Sequence, residues 1–149
     1  MPAVNNFIDQ KNVSKELKYP MELHVCKKCW LIQLSSVPDR SNLFDYYHHV
    51  SGASVGNVSH LKNVSQFILD MMPNKGTVLE VGCNDGTLLN FLNKKGFNVI
   101  GVDPAKNIEQ PNNMKIHQDY YGTPFGLKYP EYNGSFDLVV GLNVFAHND

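Results

Sequence analysis

The chain has 149 residues, 42% of them apolar and 11% aromatic. That suffices for a packed core in one domain or two small ones, and it excludes a disordered chain. Thirteen Lys and Arg stand against 14 Asp and Glu, which argues against nucleic acid or an anionic membrane as partner. No apolar run approaches the roughly 20 residues of a membrane span, and Met-Pro-Ala-Val-Asn-Asn lacks the basic and apolar regions of a signal peptide. Three cysteines, two of them three positions apart, point to reduced thiols in the cytoplasm rather than a disulfide framework.

Residues 1 to 20 read as polar and irregular. Tyr19 to Cys26 alternates apolar and polar positions as a half-buried strand does, and Trp30 to Leu34 reads as its return. Cys26-Lys27-Lys28-Cys29 then forms the turn, a thiol pair at a hairpin tip. A loop with Pro38 and Asp39 leads to the aromatic stretch Phe44 to His49, and Ser51 to Ser54 breaks the pattern. Val58, Leu61, Val64, Ile68 and Met71 make one apolar helical stripe, ended by Pro73 to Gly76.

From Thr77 short apolar runs alternate with helical ones. Strands are predicted over Thr77 to Val81, Asn98 to Val102, Met114 to His117 (weakly) and Phe136 to Leu142, with a helix over Leu88 to Lys95 stopped by Gly96. The runs Val-Ile-Gly-Val and Leu-Val-Val-Gly-Leu read as parallel strands buried on both faces. Right-handed βαβ units and a doubly wound α/β sheet follow. The predicted sheet stops where a further helix would begin, so the fold reads as incomplete and its bare edge as a surface for a missing half or an oligomeric partner.

In such a sheet ligands bind beyond the carboxyl ends of the strands, where strand order reverses. Gly82-Cys83-Asn84-Asp85-Gly86 occupies that place after the first strand. Asn84 stands where a middle glycine is usual, and Asn is among the few residues that tolerate positive φ. Asp103 comes 21 positions after Gly82, close to the spacing of about 20 for an acidic group that bonds ribose hydroxyls. Asp85 at the helix start, with Glu80 before the loop, would repel a pyrophosphate but suits a cationic, amino-acid-bearing nucleoside. The expected cofactor is S-adenosylmethionine rather than NAD.

Leu-Glu-Val-Gly-Cys-Asn-Asp-Gly-Thr-Leu-Leu (79–89), Gly-Val-Asp-Pro-Ala (101–105) and Phe-Asp-Leu-Val-Val-Gly-Leu-Asn-Val-Phe-Ala-His (136–147) resemble class I S-adenosylmethionine-dependent methyltransferases. More narrowly they resemble C-methyltransferases that act on nucleotide-linked deoxysugars, in which the Asn-Asp-Gly loop is typical. Cys-Lys-Lys-Cys-Trp-Leu-Ile-Gln-Leu (26–34) is similar to the end of that family's N-terminal zinc-binding domain. Residues 43–54 are similar to its segment that closes over the cofactor's methionine end.

The resemblance implies an incomplete Rossmann-like sheet (74–149), a cofactor-closing segment with a connecting helix (44–73) and a partial zinc-binding hairpin module (1–43). It implies that Glu80, Gly82, Cys83, Asn84, Asp85 and Gly86 cradle the cofactor's amino acid and ribose. Asp103 would bind the ribose hydroxyls and Pro104 flank the adenine. Asn143, Phe145 and His147 would line the pocket, with Tyr47 and Ser51 near the carboxylate end. The expected acceptor is a nucleotide-sugar-like small molecule, and the catalytic Tyr-Glu-His group of the family would lie beyond residue 149.

Cys26 and Cys29 are the candidate metal ligands, two of the four that a structural zinc site needs. The family's first Cys-x-x-C pair has no counterpart here, so free thiols left from a lost site are the competing reading. The family's tyrosine at position 49 is replaced by His49. His48, His49 and His60 read as partly exposed packing residues. A non-catalytic remnant that binds cofactor or partner is the alternative to an enzyme.

Overall fold

The computed structural model describes residues 8–145. Strands β1 (Leu23–Val25) and β2 (Ile32–Leu34) form an antiparallel hairpin, shorter at both ends than the alternation predicts. Its turn closes through Cys26 N–H to the Leu31 carbonyl (2.9 Å) and Trp30 N–H to the Cys26 carbonyl (2.8 Å). Leu23 pairs with Leu34 and Val25 with Ile32, so one exposed face carries four aliphatic side chains.

Helix α1 (Arg40–Phe44), where the sequence suggests only a loop, starts at Asp39, whose carboxylate accepts from the Ser41 N–H at 2.8 Å. A strap of irregular chain, residues 45–54, leads into α2 (Val55–Met71). That helix begins one turn earlier than its apolar stripe because Ser54 caps it.

The sheet contains β3 (Thr77–Val81), β4 (Asn98–Val102), β5 (Lys115–His117) and β6 (Leu138–Gly141), all parallel, in the order β5-β4-β3-β6. The chain winds outward from β3 through β4 to β5, then crosses back to β6 on the other side of β3. Strand order therefore reverses at β3, as expected for a doubly wound sheet.

Strand periodicity divides the core. Val78 and Val99 face Leu61, Ile68, Leu88 and Leu92 of α2 and α3 (Thr87–Lys94), whereas Leu79, Val81, Ile100 and Val102 face Phe125 of α4 (Thr123–Lys128) and the aromatics that follow it. Gly101 sits inside β4 because a Cβ there would meet Cys83 Sγ at 2.6 Å and Leu89 Cδ1 at 2.7 Å. Helix α3 ends on Gly96 at φ +88°, and Phe97 N–H returns to the Leu92 carbonyl at 3.2 Å.

One expectation fails here, and one helix has no counterpart in the sequence reading. Strand β6 is not buried on both faces: among the described residues it pairs with β3 alone, and Val139 is exposed. Helix α4 carries no legible helical pattern, since Gly126 interrupts its six residues. Among the described residues no helix is long and apolar enough to cross a membrane.

Leu79 has no exposed surface, so Leu79→Ala is expected to cost about 3 kcal/mol, cavity included. The exposed Leu127, changed in the same way, should shift stability by less than about 0.5 kcal/mol. Urea unfolding of the two variants checks the contrast.

Candidate functional site

A cavity of about 570 Å³ opens at the carboxyl ends of the strands. Its floor is the end of β3 from Glu80 to Asn84 and the end of β4 from Val102 to Pro104. Residues after β5 (Asp119 to Gly122) and after β6 (Leu142 to Phe145) form two walls. Tyr47, His49 and Ser51 of the strap, with Arg40, Asn57 and His60, close the other side.

The glycine loop takes the conformation its residues allow. Gly82, Asn84 and Gly86 have φ of +68°, +54° and +74°, so Asn84 occupies the left-handed region open to few residues besides glycine. The side of Gly82 that lacks a Cβ faces Val144, whose Cγ2 would lie 2.5 Å from one. The missing side chain thus admits the loop after β6 rather than only a ligand.

Asp103 is 7% exposed and lines the cavity. Its two oxygens each accept one backbone N–H, from Asn84 (2.8 Å) and Ala105 (2.9 Å). Each oxygen retains lone-pair capacity for a further donor. The same carboxylate thereby holds the glycine loop to the loop after β4.

Glu80 is 5% exposed, and its Oε2 has no hydrogen-bond partner among the described residues. Burial pushes its carboxyl well above the usual range, Asp103 and Asp85 reinforce the push, and the Leu89 N–H opposes it. A buried carboxyl with one oxygen unpartnered, in a cavity that Asp103 and Asp119 also line, favours a cationic guest. That electrostatic pattern fits S-adenosylmethionine, with its sulfonium and ammonium, better than a pyrophosphate.

The structure places the other predicted residues unevenly. Tyr47, Ser51, Gly82, Cys83, Asn84, Pro104, Asn143 and Phe145 all line the cavity. The Cys83 thiol, however, is packed into the core, and burial pushes its pKa far up, so it is no nucleophile. Asp85 and Gly86 lie outside the lining. The Asp85 carboxylate is bonded to Thr87 N–H and Oγ1 and to Gly52 N–H, and Gly86 packs against Ile116 and Met114. His147 lies outside the described residues.

Sequence reasoning missed Arg40, Asp119, Tyr120 and Tyr121, and it set His49 and His60 aside as packing residues although both line the cavity. Asp119 follows β5 as Asp103 follows β4, so the strand-end rule would have found it. Arg40 is held over the Tyr120 ring at 4.4 Å, a contact between distant segments with no local signal.

Cys26 and Cys29 flank the hairpin turn as expected. Backbone N–H groups of Cys29 and Lys28, with the Cys29 thiol, hold Cys26 below the ordinary thiol value, which favours a thiolate ligand. Among the described residues no third His, Cys, Asp or Glu joins them. The pair fits half of a tetrahedral zinc site.

Comparison with known proteins agrees with this geometry. A family profile described as "Putative zinc binding domain" matches residues 1–44, and one described as "Methyltransferase domain" matches residues 58–149. The chain is similar to the C-methyltransferase NovU of Streptomyces niveus, at 26% identity over 152 residues covering 98% of this chain and 36% of that protein. It thus spans little more than a third of that relative's length. The methyltransferase profile covers more than half of the chain and coincides with its Rossmann-like parallel sheet, so the chain belongs to the methyltransferase-domain family.

Proposed function

We propose that this chain binds S-adenosylmethionine and forms the donor half of an enzyme that methylates carbon in a small acceptor of the nucleotide-linked sugar class. The observation that carries the cofactor reading is the buried Glu80 carboxyl beside Asp103, one oxygen of which has no partner among the described residues. The similarity to a protein named as a C-methyltransferase supports carbon as the accepting atom.

When bound, the cofactor supplies an electrophilic methyl group on its sulfonium. Asp103 would accept from the ribose hydroxyls with the lone pairs its two backbone donors leave free. Pro104 would flank the adenine. Glu80 would ionise against the positive charge of the guest, and Gly82 to Asn84 would present backbone to its amino-acid end. The strap would exclude water along Tyr47 and Ser51. Attack by carbon requires a base to remove a proton next to a ketone, and in this reading none of the residues named above is that base.

Three cysteines, two of them three positions apart, suit reduced thiols and a cytoplasmic setting. Zinc would need two further donors beside Cys26 and Cys29.

Calorimetry with S-adenosylmethionine, S-adenosylhomocysteine and NAD tests the reading. Heat of binding is expected for the first two, tighter for the cationic one, and none for NAD. No heat with either sulfur nucleoside, or equal binding of NAD, would sink it.

A further inference from the structure

We propose that Asn107 is a positioning residue: with Asn84 it clasps the backbone of the strap and so sets Tyr47, His49 and Ser51 at the cavity wall. The effect on ligand release rests on the cofactor reading above. The clasp itself does not.

Lys106 and Asn57 hold the strap near its ends: Lys106 N–H donates to the Asp45 carbonyl at 2.8 Å, its ammonium pairs with the Asp45 carboxylate, and Asn57 Nδ2 donates to the Ser51 carbonyl at 2.9 Å. No residue from 45 to 54 is buried, so apolar packing contributes little along its length. Hydrogen bonds from distant side chains take its place. The Asn107 carboxamide accepts from Tyr47 N–H and donates to the Tyr47 carbonyl, both at 2.8 Å. The Asn84 carboxamide accepts from Ser51 N–H and donates to the His49 carbonyl, both at 2.9 Å.

Each carboxamide offers a donor and an acceptor with the spacing of a peptide group, so it pairs with the strap as a neighbouring strand would. Flanking bonds from Tyr120 to Asp45 (2.6 Å) and from Gly52 N–H to Asp85 (2.8 Å) fix the two ends. Because both asparagines take backbone groups, the side chains of Tyr47, His49 and Ser51 are left at the cavity.

One carboxylate bonds the Asn84 clasp directly and the start of the loop that carries Asn107. Asp103 accepts from the backbone of Asn84 on one oxygen and from Ala105, two residues before Asn107, on the other. Asn107 does not line the cavity, so any effect of its removal on a bound nucleoside passes through the strap.

The test is Asn107→Ala in the full chain, read by residue-resolved amide exchange, by the release rate of S-adenosylhomocysteine and by the thermal midpoint. Exchange of the Tyr47 amide is expected to rise about tenfold with or without nucleoside, and release to quicken about tenfold. The midpoint should stay within about 2 °C, because the bonds lost are exposed. Asn107→Asp keeps the acceptor for Tyr47 N–H and loses the donor, so it should fall between wild type and alanine.

Wild-type exchange at Tyr47 in Asn107→Ala would show that no clasp exists. Faster exchange with unchanged release would show a clasp that positions nothing. A lowered midpoint with unchanged release would assign Asn107 a merely structural role. Should the wild-type chain bind no nucleoside, the cofactor reading fails, and the Tyr47 exchange still decides the clasp.

Discussion

Asp103→Ala is expected to weaken S-adenosylhomocysteine binding more than 100-fold, on the order of 3 kcal/mol, and to cost the fold about 2 kcal/mol. The two losses have separate causes. In the proposed cofactor reading the Asp103 carboxylate, at the carboxyl end of β4, accepts from the vicinal diol of the ribose, and a methyl group accepts nothing. Its removal also strips the acceptor from the Asn84 and Ala105 N–H groups, which lie at 2.8 and 2.9 Å. Unsatisfied donors at a mostly buried site cost the desolvation of each.

Asp103→Asn separates the causes. One amide oxygen can still take one of the two backbone donors, so the variant should recover part of the stability. Diol binding should stay poor, because the amide nitrogen replaces the second acceptor. Calorimetry beside urea unfolding reads both quantities. An Asp103→Ala protein that binds the nucleoside as wild type does would remove Asp103 from the cofactor site.

What was legible follows from whether the signal is local. The bounds of β3 and β4 match the apolar runs residue for residue, Thr77–Val81 and Asn98–Val102, because central strands in a parallel sheet bury both faces and leave no ambiguity of period. Strand β6 has an equally apolar sequence, yet among the described residues it pairs with β3 alone and leaves Val139 exposed. Which neighbours a strand has is not written in the run itself.

Helix α4 went unread because Thr-Pro-Phe-Gly-Leu-Lys has poor intrinsic helicity. Tertiary contacts hold it, through buried Phe125 among Tyr129, Tyr132 and Phe136.

The site divides in the same way. The glycine loop and Asp103 lie within one βαβ unit, whose spacing reveals them. The motif resemblance assigns Asp85 to the cofactor cradle, yet its carboxylate turns to Thr87 and Gly52. Side-chain direction at a helix start depends on which backbone donors compete for it, and the strap brings one of them from 33 residues away. The pairing of Tyr47 with Asn107, 60 residues apart, has no sequence signal at all.

The pH dependence of stability turns on Glu80. Burial, with Asp103 and Asp85 nearby, raises its carboxyl well above the ordinary value. In the unfolded chain the same group ionises near pH 4.3. Between that pH and the raised folded value, the folded state holds the proton that the unfolded state has released. Stability therefore falls as pH rises through this window, with a slope approaching about 1.4 kcal/mol per pH unit from this group.

Glu80→Gln keeps the shape and removes the titration. In unfolding experiments without nucleoside, the variant should match the wild type near pH 4 and exceed it by a margin that grows as pH rises from there toward the raised folded value. Binding should move the opposite way. A cationic nucleoside draws the carboxyl into its ionised form, so wild-type affinity for S-adenosylmethionine rises with pH as a proton is released. Glu80→Gln should bind more weakly at pH 8, by about tenfold or more, with no such rise. A variant whose stability margin does not grow with pH would mean that Glu80 is already ionised in the folded chain. Weaker binding without a change in its pH profile would mean that Glu80 meets the guest as a hydrogen-bonding group and not as a charge.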